Sequence, residues 1–417
     1  MIVLYDDARA RTFEPFATTR PVGELRAGAF LGRERWGWWF GAPIDGCVVA
    51  PHLAAFDEFD SPPVIHTDLA AGTWLVNARA LPSLTREHVA PAADPTQAVA
   101  HILRIDGRIA AVRLASAVSA AQLHDGMLTL EALAPLGAPD VSVAGRWLDD
   151  AWDLVRFLPA QLAEDVPFLA GQIAARPLAT DGGAAGPVIL GGGTVFVEAG
   201  ARIEPLVVFD TQAGDVLVRA GASVQAFTRI VGPCFIGRDT AVMGGRITAS
   251  SIGDMCRVHG ELSTSVFIGH ANKGHDGFVG HSLLGRWVNL GAGTITSNLK
   301  NTYGTVAMWT TEGIRDSGLQ FAGTFFGDHV KTGIGLRLTT GCVLGAGANV
   351  MDTMPPKAVA PFAWGTRAPY GVFDAAKFTT IAARVMGRRQ VTLSEPQRAH
   401  LTIVMQHALA DVRWPAR

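Results

Sequence analysis

The stretch VRAGASVQAFTRIVGPCFIGRDTAV, residues 218–242, decides the fold. Its aliphatic residues Val218, Val224, Ile230, Ile236 and Val242 stand six apart without a break. That step fits neither the 3.6-residue period of a helix nor the two-residue alternation of a strand. It is the hexapeptide repeat of a parallel β-helix, in which each hexapeptide is a short strand plus a tight corner. One aliphatic side chain per face points into a narrow prism, and each coil buries it only against the coils above and below. The step recurs at Ile252–Val258, at Phe278, Leu284 and Leu290, and at Leu338, Leu344 and Val350. Aliphatic-glycine pairs such as Ile236-Gly237, Ile252-Gly253, Ile268-Gly269 and Leu344-Gly345 mark the corners. Small residues at such corners explain the glycine excess, 47 in 417 residues, or 11%, against the usual ~7%.

Working outward, the repeat fills residues 188–365. Before it, ARPLATDGGAAGP, residues 175–187, is small and turn-rich and reads as a linker. Residues 1–174 mix short apolar runs (Ile2–Tyr5, Cys47–Ala50, Trp74–Val76), a β-like run at 108–115 and a helical pattern at 147–166. That mixture predicts an α/β layer domain. Residues 366–417 leave the period of six. Phe378, Ile381, Ala382 and Val385 form a helical stripe stopped by Gly387. Ser394–Gln397 has capping-box spacing before a second stripe, Leu401, Val404, Met405, Ala408 and Val412. Two C-terminal helices are expected, covering the end of the prism.

Charge excludes several classes. There are 35 Lys plus Arg against 37 Asp plus Glu, a net charge of -2, with no basic excess for nucleic acid or an anionic membrane. No run reaches the ~18 apolar residues of a membrane span, and MIVLYDDARA lacks the pattern of a signal peptide. The four cysteines, Cys47, Cys234, Cys256 and Cys342, form no CxxC. They suggest neither a zinc ribbon nor a disulfide framework, and reduced thiols fit a cytoplasmic protein.

Residues 272–304, NKGHDGFVGHSLLGRWVNLGAGTITSNLKNTYG, resemble the acetyltransferase domain of the bifunctional family that makes UDP-N-acetylglucosamine. Members acetylate glucosamine-1-phosphate on a left-handed β-helix and transfer uridylate on an N-terminal domain. The resemblance implies a left-handed prism, a homotrimer with sites between subunits, and acetyl-CoA as a substrate. It implies His275, in Lys273-Gly274-His275, as the catalytic base. It also implies Asn289, Ala292 and Asn298 in the acceptor and acetyl-CoA loop, with Lys273 and Glu261 beside them. The family's lysine for the sugar phosphate falls on Ser263, so Arg246 or Lys273 would have to replace it. Lys331, Arg337, Lys357 and Arg367 are candidates for the coenzyme A phosphates.

The opening, LYDDARARTFEPFATTRPVGELRAGAFLGRERW at residues 4–36, and TWLVNARALP at residues 73–82 resemble a divergent branch of sugar nucleotidyltransferases in the same family. The glycine-rich GxGTR loop of ordinary members is absent. Asp6 and Asp7 follow the first strand, Arg11 stands where the loop arginine stands, and Arg20-Pro21 sits near the place of the lysine. The nucleotide site is therefore expected at Asp6, Asp7, Arg11, Arg20 and Arg26, with Mg²⁺ near Asp6 or Asp7.

The chemistry is coherent. N-acetylation of an amino sugar needs a neutral amine, and an imidazole, ordinarily titrating near 6.5, is suited to take that proton. No acyl-enzyme is needed. Asparagine amides and backbone N–H groups would hold the thioester oxygen as charge develops. In nucleotidyl transfer, cations must offset a triphosphate, and arginines substitute in part for a glycine cradle. The expectation is thus a sugar-nucleotide enzyme, acting on a sugar phosphate with a nucleoside triphosphate and acetyl-CoA. Two alternatives remain: a nucleotidyltransferase whose β-helix only oligomerises or regulates, and a non-enzymatic scaffold with a degenerate N-terminal domain.

Overall fold

The computed structural model describes residues 1–85, 101–179 and 186–415. Of the expected linker, 175–187, the six residues 180–185 lie outside the described residues. An α/β domain is followed by a long parallel β-solenoid and two C-terminal helices.

The first domain is built on a six-stranded sheet in the order Gly46–Val48, Ile2–Tyr5, Trp74–Asn77, Arg108–Arg113, Ile102–Ile105, Asp140–Ser142. The first three strands are parallel. Alternation along Ile2–Tyr5 splits its side chains between two layers. Val3 and Tyr5 pack with Leu123 and Leu130 on one side. Ile2 and Leu4 join Trp36, Leu158 and Leu162 on the other. The helical pattern read at 147–166 is displaced. Trp147 ends a strand, Gly145–Trp147, and the main helix is Leu158–Gln172. Pro159 in its first turn sets that start, where a missing N–H costs nothing.

The solenoid follows the period of six. Val218 pairs with Ile236, and Ile236 with Ile252, so aliphatics eighteen and sixteen residues apart stack on one face. Val224, Val242 and Val258 stack on the next face, and Ile230, Ile247 and Leu262 on the third. All are fully buried. The linker is not free at its start: Arg176–Pro177 pairs antiparallel with Phe196–Val197 and enters the sheet.

The two domains share one core. The outward residues of one prism face, Leu217, Phe235, Val266, Leu283, Phe325 and Val343, are buried with residues of the first domain. Phe16 lies 6.2 Å from Phe325, and Ser251 Oγ donates to the Gly28 carbonyl at 2.7 Å. A domain separated from the prism only by a flexible linker is therefore not what the chain forms.

The C-terminal helices are Ala375–Gly387, with Asp374 as its N-cap, and Glu395–Ala410, with the Ser394–Gln397 capping box in place. They do not cover the end of the prism. Phe378 starts against Phe362, and Ala382 and Met386 then pack on Trp287. The second helix reaches back to the first domain, where the His52 and His407 rings stack at 3.9 Å. The apolar stripe of each helix thus finds a side of the prism or the first domain. Val412 lies beyond the second helix and is exposed. Among the described residues no helix is long and apolar enough to cross a membrane.

Candidate functional site

The first domain carries a cleft of about 270 Å³ above the first strand, lined among others by Tyr5, Asp7, Arg9, Asn77, Arg79 and Trp147. Only one of the five residues expected at the nucleotide, Asp7, lines it. Burial would raise the Asp7 carboxyl, but Arg79 and Asn77 bind it and hold it below the ordinary carboxylate range. Asp6 turns inward and accepts from the Val22 N–H; burial pushes it up to about 7. The Arg11 guanidinium donates to the carbonyls of Asp6, His124, Val49 and Leu123, so it fixes local turns.

Arg20 and Arg26, expected at the nucleotide, do not line the cleft. Arg20 is 2% exposed and pairs with Asp328 of the prism and with Glu58, both at 2.8 Å. Arg26 donates to the carbonyls of Ala29 and Ile268 and lies over the Phe235 ring. Both fasten the domains together, because their short loop is pressed against the prism. The loop after the first strand also offers no phosphate cradle of the expected kind. The N–H groups of Ala8, Ala10, Arg11, Thr12 and Phe13 already donate within the fold. A Mg²⁺ at Asp6 or Asp7 does not fit: one carboxylate is buried away from the cleft and the other is saturated by Arg79, Asn77 and Ala10. Asn77 and Arg79, which organise the cleft, lie in the TWLVNARALP stretch; their types alone gave no sign that they bind Asp7.

The second candidate site lies on one edge of the prism. Val258 pairs with Lys273, fifteen residues on, whereas Glu261 pairs with Phe278, seventeen on. The corner carrying His275 is therefore two residues longer than the corner beneath it, and His275 and Asp276 project into solvent. Gly277 closes it at φ +131°, where a Cβ would meet the Thr294 carbonyl oxygen at 2.3 Å. Gly293 N–H donates to the Asp276 carbonyl at 3.1 Å, so the loop of Ala292 sits directly on the His275 corner. Asp276 Oδ1 lies 3.2 Å from His259 Nδ1, on the coil below, but makes no hydrogen bond to it.

The other expected residues divide. Lys273 is not available to a ligand. It is 1% exposed inside the prism, and its Nζ donates to the carbonyls of His259 and His275; burial pushes it down to about 8. Asn272 Nδ2 donates to Asn289 Oδ1 at 2.9 Å, on the face before the corner. Arg246 and Glu261 are exposed neighbours in one outward column on the face after it. Asn298 lies one strand further on. Its Nδ2 donates to His281 Nδ1 at 2.8 Å, and burial holds that ring neutral by lowering it to about 4. Ala292 is exposed, with its carbonyl accepting from the Gly335 N–H. Within one chain, then, the motif brings together His275, Ala292 and Gly293. Asn289, Arg246 and Glu261 flank that edge from two sides.

The architecture is thus an α/β domain with a cleft over its first strand, fused to a hexapeptide solenoid with an enlarged corner at His275. Residues 2–173 match the family described as sugar nucleotidyl transferase. The chain is similar to the bifunctional protein GlmU of Bordetella parapertussis, 30% identical over 175 residues, 39% of this chain and 33% of that one. It is similar to GlmU of Carboxydothermus hydrogenoformans, 28% identical over 169 residues, 35% of each chain. A bifunctional sugar-1-phosphate nucleotidylyltransferase/acetyltransferase of Sulfurisphaera tokodaii is 35% identical over 91 residues, 22% of each chain. The chain thus spans about a third of the length of the GlmU relatives it matches.

Proposed function

We propose that this protein acts in sugar-nucleotide biosynthesis and that its solenoid transfers an acetyl group from acetyl-CoA to the amine of an amino-sugar phosphate. The observation that carries the reading is the two-residue enlargement of the corner at His275, locked from inside by Lys273 and from above by Gly293. In this reading His275 removes the proton from the acceptor ammonium. The free amine attacks the thioester carbonyl, and the backbone around Ala292 and the Asn289 amide stabilise the developing oxyanion. Coenzyme A leaves as the thiolate and takes up a proton. Arg246 and Glu261 orient the acceptor.

The same edge supports a homotrimer. Besides His275 it presents Leu206, Phe227 and Ile334, 47%, 79% and 78% exposed, and neither the first domain nor the C-terminal helices cover them. Three such edges meeting around an axis would complete each site with residues of a neighbour.

Nucleotidyl transfer to a sugar-1-phosphate in the first domain is the second reading, favoured by the cleft over Asp7 and Arg79. Its weakness is that Arg9, Arg79 and Arg108 are already paired with Asp150, Asp7 and Asp149. A triphosphate would have to displace these carboxylates.

The deciding assay follows acetyl-CoA consumption with glucosamine-1-phosphate for the wild type and His275→Ala. A loss of roughly 10²-fold or more in the variant supports the base. An unimpaired variant leaves His275 a turn residue and favours a regulatory solenoid.

A further inference from the structure

Helix Ala375–Gly387 crosses the prism face that carries Asn272, Asn289 and Lys331, and between them lies a pocket of about 230 Å³. Asn272 pairs with Asn289, and Asn289 with Lys331, so the three stand on successive coils. Arg388 and Arg389 line it from the end of the helix.

The lining is rich in donors. Asn289 Oδ1 is taken up by Asn272, which leaves the Asn289 amide N–H groups to donate. His270 Nδ1 accepts from Arg286 at 3.0 Å, which puts the ring proton on Nε2. Lys331 Nζ donates to the His329 carbonyl at 3.0 Å and has further protons to give. Arg389 Nε reaches only the Met255 carbonyl, at 3.3 Å. Among the described residues no carboxylate pairs with Lys331, Arg388 or Arg389. Burial pushes the Lys331 ammonium down to about 8 and, with Arg257 and Arg388, lowers Arg389 as well. A helix C-terminus favours cations and accounts for Arg388 and Arg389 on their own helix. It does not account for Lys331, which belongs to the prism and shares the pocket with them. Three like charges lining one pocket open to solvent, Lys331 and Arg389 half-buried and Arg388 exposed, with no carboxylate partner among the described residues, match the lining of an anion site.

We propose that this pocket binds a phosphate monoester, clamped between Lys331 on the prism and Arg388 and Arg389 on the C-terminal helix. Guanidinium groups meet phosphate oxygens in bidentate pairs, and the dianion would offset the repulsion among the cations. The C-terminal helices would then be part of a binding site and not only a covering. The proposal needs neither proton transfer at His275 nor catalysis, so it stands or fails apart from the acetyl-transfer reading.

Two metabolite classes carry such a group: a sugar phosphate, and coenzyme A through its 3′-phosphate. Calorimetric titration of the full chain with glucosamine-1-phosphate, coenzyme A and dephospho-coenzyme A separates them. The expected result is binding of at least one monoester, weakened roughly tenfold or more by Arg388→Ala/Arg389→Ala and independently by Lys331→Gln. If coenzyme A is the ligand, dephospho-coenzyme A binds the wild type as weakly as coenzyme A binds the variants. Binding of glucosamine-1-phosphate alone assigns the sugar phosphate. Should the double variant fail to fold, Lys331→Gln decides. Absence of binding to the wild type, or affinities for both ligands that the substitutions leave unchanged, overturns the proposal.

Discussion

The Lys273 ammonium, enclosed within the prism, donates to the backbone carbonyl of His275. Lys273 occupies an interior position whose neighbour on the coil below is Val258, so a lysine stands where the repeat calls for an aliphatic residue. An enclosed ammonium is costly unless its protons are satisfied. Here the carbonyls of His259 and His275 satisfy two of them, and in return the enlarged corner is tied to the core.

Lys273→Met should therefore separate stability from activity. Methionine fits the interior column and removes a desolvated charge, so the melting temperature should change little or rise. Acetyl transfer should fall tenfold or more in kcat, because His275 loses its tether. Its pH signature differs from that of a packing change. The folded-state value of Lys273 is about 8, below the ordinary lysine value of roughly 10.4. Between these values the unfolded chain binds the extra proton, so wild-type stability gains a rising contribution as pH increases through that window. Urea unfolding at pH 8 and pH 10 should show that contribution in the wild type and not in the variant. Equal pH slopes would remove the argument.

Asp6 gives the opposite test in the first domain. Burial raises its carboxyl to about 7, so the folded state holds a proton that the unfolded state has released. Stability is lost as pH climbs from about 4 to 7 through this group. Asp6→Asn keeps an oxygen acceptor for the Val22 N–H and carries no charge. It should stabilise the protein above pH 7, on the order of 4 kcal/mol, and have little effect near pH 4. Denaturant midpoints at the two pH values check this. A variant less stable than wild type at pH 8 would mean that ionised Asp6 is useful to the fold.

Arg20 illustrates how much was legible in the sequence. The solenoid was readable because its aliphatics recur at a fixed step and every coil repeats the same packing problem. The capping box at Ser394 was readable because it is local. The His275 motif was readable as a resemblance, and its enlarged corner explains why that segment departs from strict repetition. What could not be read was pairing across the domains. Arg20 looks the same whether it awaits a phosphate or meets Asp328, 308 residues away. Likewise, Lys273 lies in the motif, but only the register with Val258 turns it inward. The direction of the C-terminal helices depended on Trp287 and the first domain offering an apolar side.

The buried pair itself is testable. Burial would raise the Glu58 carboxyl, yet Arg20 and Arg286 hold it down to about 2. Arg20→Ala leaves Asp328 and Glu58 without that partner, and breaking such a pair typically costs about 3–5 kcal/mol. Urea unfolding should show that loss, while nucleotide affinity, if measurable by titration with UTP, should change only through stability. In Arg20→Ala/Asp328→Asn the cost should be smaller than the sum of the single changes. Strict additivity would dissolve the pair as an interdomain fastener. A selective loss of UTP binding at full stability would return Arg20 to the nucleotide site.

The exposed edge of the prism yields the last prediction. Phe227 and Ile334 lie on the same edge as His275 and are the most exposed large apolar residues there, at 79% and 78%. Burying an apolar side chain of this size contributes roughly 1.5–3 kcal/mol, and a threefold axis repeats the gain three times. Light scattering should therefore give a mass of three times 44.0 kDa. Ile334→Asp should shift the equilibrium toward the single chain, because three carboxylates would be forced together where apolar contact was lost. The fold should persist, since Ile334 contributes nothing to the interior of its own chain. Acetyl transfer should fall with the trimer, and at a protein concentration that restores the trimer it should return in part. A wild type that scatters as one chain removes both the shared site and this role for the edge. A trimer indifferent to Ile334→Asp and to Phe227→Asp would place the axis on another side of the prism, leaving His275 to act within a single subunit.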